Sequence, residues 1–149
     1  MATSGALVPV RNVIVSDNYI LVWGKNQTPF KLFDKSGKFL GNVGAFGQGP
    51  GEYQLIYDAQ IDEAGGRIYL LPWNARSLLA YDLKGQAVQN IPLPSLVPKG
   101  VFKANTKDSL LSVFLLPFDY LPYVAWTQKF SGEIQDTIRL RHLALKPDF

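Results

Sequence analysis

Cysteine is absent from the 149-residue chain, and histidine occurs once, at His142. The first absence excludes disulfides, thiolate zinc sites and a cysteine nucleophile. The second argues against the clusters of histidine and carboxylate that hold a catalytic metal. No stretch approaches the ~18 apolar residues of a membrane-spanning helix. The opening MATSGALVPV lacks the basic segment and apolar run of a secretory signal. Lys and Arg number 15 against 12 Asp and Glu, a net charge of +3 with no basic run. Charge so dispersed releases few counterions, which argues against a nucleic-acid partner as the apolar pattern argues against membrane insertion. Neither a Walker-type loop nor a Gly-x-Ser-x-Gly nucleophile elbow occurs, and no cofactor or metal is implied.

What the chain does have is 47% hydrophobic residues, 13% aromatics, 13 Gly and 10 Pro. That composition favours strands joined by turns. The turn Phe33-Asp34-Lys35-Ser36-Gly37-Lys38 returns 48 residues later as Tyr81-Asp82-Leu83-Lys84-Gly85-Gln86. A third copy survives as Lys129-Phe130-Ser131-Gly132, without the aspartate. A period of this length signals tandem supersecondary units.

Each unit reads as four short strands separated by turn residues. The first has strands near 10–15, 19–23, 30–33 and 38–43, the second near 57–61, 67–71, 77–81 and 87–91, and the third near 101–104, 110–115, 124–128 and 134–140. The expected fold is all-β, with about three four-stranded antiparallel units at 7–53, 54–98 and 99–145 in one domain. Four antiparallel strands per 40–50 residues match the blade of a β-propeller, and the returning turn argues against an immunoglobulin-like sandwich.

The stretch FDKSGKFLGNVGAFGQGPGEY, Phe33 to Tyr53, followed by DEAGGRIYLL and AYDLKG, resembles the bacterial six-bladed β-propeller proteins related to NHL repeats. The likeness is strongest over residues 10–92, and GQGPGEY is its most specific part. It implies a six-bladed ring, usually exported or surface-associated, with protein or ligand binding as its usual role. The chain holds about half of such a ring. Exposed end faces are expected to be covered either by a second copy, third unit against first, or by further sequence of a longer protein.

Within this frame the candidate residues divide into turn-formers and contact residues. Gly47, Gly49, Pro50, Gly51, Glu52 and Tyr53 are expected to carry the chain from one unit to the next, with Glu52 accepting backbone hydrogen bonds and Tyr53 wedged between units. Asp34 with Gly37, and Asp82 with Gly85, read as β-turn residues rather than metal ligands. Trp23, Trp73 and Trp126 read as core or as packing between units. The segment Leu115 to Tyr123 carries Phe118, Asp119, Tyr120 and Tyr123 in a proline-stiffened loop, and aromatics so held suit a protein or carbohydrate partner. These features point to a non-catalytic scaffold. The alternative, a divergent propeller hydrolase or lyase, would have Asp34, Asp82, Asp119 and His142 as its material.

Overall fold

The computed structural model describes residues 10–24, 28–116 and 124–139. They form fourteen strands and no helix among the described residues. The first sheet runs in the order β1 (Val10–Val15), β2 (Tyr19–Gly24), β3 (Phe30–Asp34), β4 (Phe39–Val43). Two-residue strands β5 (Ala45–Phe46) and β6 (Glu52–Tyr53) pair in parallel within the connecting loop. The second sheet is β7 (Ile56–Asp62), β8 (Arg67–Pro72), β9 (Ala75–Tyr81), β10 (Ile91–Val97), and the third is β11 (Gly100–Asn105), β12 (Leu110–Leu115), β13 (Val124–Lys129), β14 (Ile134–Arg139). Every neighbouring pair within these three sheets is antiparallel.

One strand departs from the sequence expectation. The fourth strand of the second unit is Ile91–Val97, not 87–91. Pro92 and Pro94 hide it from a pattern search, because proline lacks a ladder donor. β10 is an edge strand, where that donor is dispensable, and its pairing with β9 is interrupted between Pro92 and Val97. Ala87 makes only an isolated bridge to Tyr81.

The sheets stack through opposite faces, because side chains alternate along a strand. Leu21, Trp23, Phe30 and Leu32 of the first sheet meet Ile68, Leu70 and Tyr81 of the second in one core. The intervening residues of the second sheet, Tyr69, Leu71, Leu78 and Ala80, point the other way and meet Ala104, Leu111, Val113 and Trp126 of the third. Each sheet therefore has a leading face, turned toward its successor, and a trailing face. Ladder position confirms the equivalence: Leu21, Tyr69 and Ser112 follow Ile20, Ile68 and Leu111, which pair with the residues just before the three turns, Phe33, Tyr81 and Gln128.

Between the second and third sheets the inner strands lock together through side chains. Asp58, Gln60 and Asp62 occupy alternate positions of β7 on its leading face. The Phe102 N–H donates to Asp58 Oδ2 at 3.1 Å, the Ala104 N–H to Gln60 Oε1 at 2.7 Å and the Thr106 N–H to Asp62 Oδ2 at 2.8 Å. Gln60 Nε2 also donates to the Ala104 carbonyl at 2.9 Å. The three side chains thus stand in for a missing strand along the free edge of β11. The carboxyls of the two aspartates are pushed in opposite directions. Desolvation raises Asp58 above the ordinary carboxylate range, while at Asp62 the hydroxyl and amide of Thr106 and the amide of Gly65 outweigh desolvation and lower it.

Gln60→Ala should cost about 1–3 kcal/mol, because it strands two buried polar groups of Ala104 at once. Urea unfolding checks this, and a midpoint unchanged from wild type would show that water replaces the side chain without loss.

Candidate functional site

Tyr53, buried between the first two sheets, anchors the loop from Gly44 to Tyr53. Its hydroxyl donates to the Val43 carbonyl and accepts the Phe30 N–H at 2.9 Å. Its ring packs edge-on against Phe30 and Tyr81, with centroids 5.9 and 6.2 Å away. Burial raises the Tyr53 phenol far above its ordinary range and pushes Tyr81 up to about 12. Both phenols are therefore fixed hydrogen-bond groups at neutral pH. Glu52 Oε1 accepts the Gly49 N–H at 2.9 Å, closing the loop on itself, and Tyr81 donates to the Gly51 carbonyl at 3.0 Å. Gly44 has φ +60°, and a Cβ there would lie 2.9 Å from both Tyr53 and Tyr81. The glycine-rich loop is occupied by its own groups and by the aromatic seam beneath it.

The repeated turns are built alike. Asp34 Oδ1 accepts the Ser36 and Lys38 N–H groups, both at 2.9 Å, and the Ser36 hydroxyl at 2.6 Å. Asp82 Oδ1 accepts from Lys84 and Gln86 at 2.8 and 3.0 Å. The third turn keeps the backbone bond from Gly132 N–H to the residue three before it, now Lys129, and Gly132 has φ +99° beside +93° and +81° at Gly37 and Gly85. The turn thus survives loss of its aspartate. Each Asp carboxylate is engaged within its own turn, and Asp34 and Asp82 are not brought to a shared site. Asp119 and His142 lie outside the described residues, as do Phe118, Tyr120 and Tyr123. Among the described residues no cluster of three or more His, Asp or Glu could hold a metal.

A cavity of about 380 Å³ opens beside the Gly44 to Tyr53 loop, lined by Gln48, Glu52, Gln54, Trp73, Asn74 and Leu79 among others. Trp73 differs from the other two tryptophans in being only partly covered. Trp23 and Trp126 are buried, but Trp73 is only half-buried and forms part of the cavity wall. Tyr57 packs edge-on against it at 5.2 Å, and Lys99 Nζ lies 5.0 Å from its ring centroid. Asn74, with φ +50°, makes the tight turn that leaves Trp73 there, its N–H donating to the Pro98 carbonyl at 3.0 Å. The Lys99 carbonyl in turn accepts the Leu116 N–H at 2.9 Å. Leu116 is the last described residue before the aromatic segment 117–123. The corner thus joins Trp73, Lys99 and the root of that segment. Sequence reasoning missed it because a tryptophan after a strand looks like core, and only the two-residue turn at 73–74 turns it outward.

A family model described as a domain of unknown function (DUF4934) matches residues 3–128. The chain belongs to the DUF4934 family. Among solved structures, the DUF4934 chain is similar to a protein of Bacteroides fragilis NCTC 9343 designated as exported, with TM-score 0.66 and 20% identity. It is also similar to Kuenenia stuttgartiensis hydrazine synthase, with TM-score 0.57 and 12% identity. The matches cover 87% and 83% of the DUF4934 chain but only 37% and 34% of those proteins. At such identities the likeness is one of fold alone. No curated protein matches the sequence.

Asp34 yields a pH prediction. The Ser36 hydroxyl, then the Lys38 amide, hold its carboxyl below the ordinary value of 3.8. A depressed carboxyl stabilises the fold above its unfolded pKa and ceases to do so as pH falls through the folded one. The stability gap between wild type and Asp34→Ala should therefore be full at pH 6 and shrink below about pH 4. Urea melts at several pH values measure it, and a gap that widens on acidification would refute the assignment.

Proposed function

We propose that the DUF4934 chain is part of a β-propeller of the NHL-related kind, its three sheets acting as blades, and that it serves as a non-catalytic scaffold for recognising a protein. The observation that carries this reading is the corner where Trp73, held by the edge-on ring of Tyr57 and by the Lys99 ammonium, adjoins the root of the segment bearing Phe118, Asp119, Tyr120 and Tyr123. Half-buried aromatics held by rigid neighbours offer large contact area at low entropic cost. The leading-on-trailing stacking supports the blade reading, since tandem units that cannot cover their own faces bury them on one another. The engagement of Asp34 and Asp82 within their turns supports a structural role for those carboxylates. Export fits both the family resemblance and the designation of the Bacteroides fragilis relative.

The test has two arms. Immobilised wild type should retain a protein partner from an extract of its source bacterium, and both Trp73→Ser and the triple change Phe118→Ser, Tyr120→Ser, Tyr123→Ser should abolish that retention while preserving the thermal melt. Retention unchanged in both variants overturns the corner as the binding face. Binding of wild type to a glycan array, lost in the same variants, would move the ligand class to carbohydrate. Bound metal with turnover of ester or glycoside substrates would replace the scaffold by the hydrolase alternative.

A further inference from the structure

Arg67 opens β8 on the same face as Tyr69, the face turned toward the third sheet. At this end of the junction between the second and third sheets lies a cavity of about 370 Å³, walled by Tyr69, Ile91 and Phe130 and edged by Ser109 and Ser131. The rings of Tyr69 and Phe130 meet edge-on, 6.2 Å apart. Arg67 is the one charged residue in the described lining. Its guanidinium makes a single hydrogen bond, from Nη1 to the Gly66 carbonyl at 3.1 Å, and among the described residues no carboxylate pairs with it. Most of its five N–H donors therefore have no acceptor in the protein. The nearby acids are engaged elsewhere. Asp62, the ladder partner of Arg67, accepts the Thr106 and Gly65 N–H groups at 2.8 and 3.3 Å, and Asp82 serves its own turn.

The first junction is an internal control. There the ladder position of Arg67 is held by Tyr19, since the two precede Ile20 and Ile68, and the turn position of Phe130 is held by Leu83. Tyr19 and Leu83 both pack against the core of that junction. The second junction thus sets a cation where the first sets an aromatic ring. Ser109 departs in the same direction. Gly66 and Ser109 occupy one turn position, each N–H bonded to the carbonyl three residues before it, but the glycine has φ +69° and the serine φ +53°. A side chain is held there in a region that favours glycine, and it places a hydroxyl at the cavity edge.

We infer that this cavity binds an organic carboxylate with an apolar group beside its charge. The Arg67 fork takes the carboxylate in two parallel hydrogen bonds, Ser109 adds a hydroxyl donor, and Tyr69, Ile91 and Phe130 take the apolar part. A single cation with apolar walls suits a monoanion of this kind better than a phosphate, which would call for further positive charge in the lining. The site is distinct from the Trp73 corner: Arg67 and Trp73 stand at opposite ends of β8, roughly 20 Å apart at strand rise.

NMR titration of the full chain with N-acetyl-phenylalanine tests this. Saturable shifts are expected at the amides of Thr106, Ser109 and Phe130, with a Kd of about 1 mM for a ligand of that size. The carboxamide of the same compound should bind about tenfold more weakly or worse, and so should the acid to Arg67→Met, which keeps the apolar stem but loses the charge-assisted bonds. Ser109→Gly should keep or raise the thermal melt yet weaken binding. Trp73→Ser should bind the probe as wild type does, which separates this site from the scaffold reading. A tetrapeptide ending in phenylalanine with a free carboxylate that shifts the same amides would assign the ligand to a chain terminus, and binding by the short acid alone would assign it to a free small molecule. No saturable shift at these amides overturns the inference. So does equal binding of acid and carboxamide, full binding by folded Arg67→Met, or orthophosphate displacing the acid at lower concentration than the acid itself requires.

Discussion

A strand at the inner edge of a sheet carries a row of N–H and C=O groups with no neighbour, and the rest of the architecture depends on how β11 satisfies that row. Water cannot serve Ala104, which is buried beneath the second sheet. Asp58, Gln60 and Asp62 supply the acceptors instead, each 44 residues before its partner. Because the spacing is two residues on both strands, β7 and β11 run parallel and in phase. That phase sets which residues of the third sheet reach Tyr69, Leu71 and Leu78, and so where the second core forms. Apolar burial provides most of the driving force, but it is non-directional. The polar lock supplies the register that burial lacks.

The seam between the first and second sheets uses a different device. Glu63 receives the Ser16 hydroxyl at 2.6 Å and both the backbone and side-chain N–H groups of Asn18 at 3.0 and 2.6 Å. At the outer side, the Gly44 N–H donates to the Gly85 carbonyl at 3.0 Å, and Gly85 packs so closely on Asn42 that a side chain there would strike the backbone. Tyr53 and Tyr81 fill the space between. One junction is thus fixed by alternating side chains along a strand, the other by its two rims and an aromatic seam.

Much of this was legible in the residues. The Asp-x-x-Gly turns showed the period because their chemistry is local: one carboxylate serves its own backbone, so the sequence need not know its tertiary surroundings. Lys129 shows the limit, since the third turn persists with the same glycine geometry after the aspartate has gone. β10 was misplaced because Pro92 and Pro94 read as a strand breaker until the edge position is known. The lock was invisible for a further reason. Asp58, Gln60 and Asp62 alternate with Ala59 and Ile61 as any half-exposed strand would, and nothing in their type says that they face another backbone rather than water. Trp73 read as core or inter-unit packing on the same grounds, and its partial exposure, set by a turn of two residues, could not be seen in the residue itself.

The prolines of β10 have a consequence of their own. An outer sheet edge invites a passing chain to add itself as another strand, the first step of ordered aggregation. With Pro92 and Pro94 in β10 and the ladder broken between Pro92 and Val97, the rim of the second sheet presents too few amides in sequence to template such growth. The residues that made this strand hard to find are the ones that blunt this edge of the second sheet against strand addition.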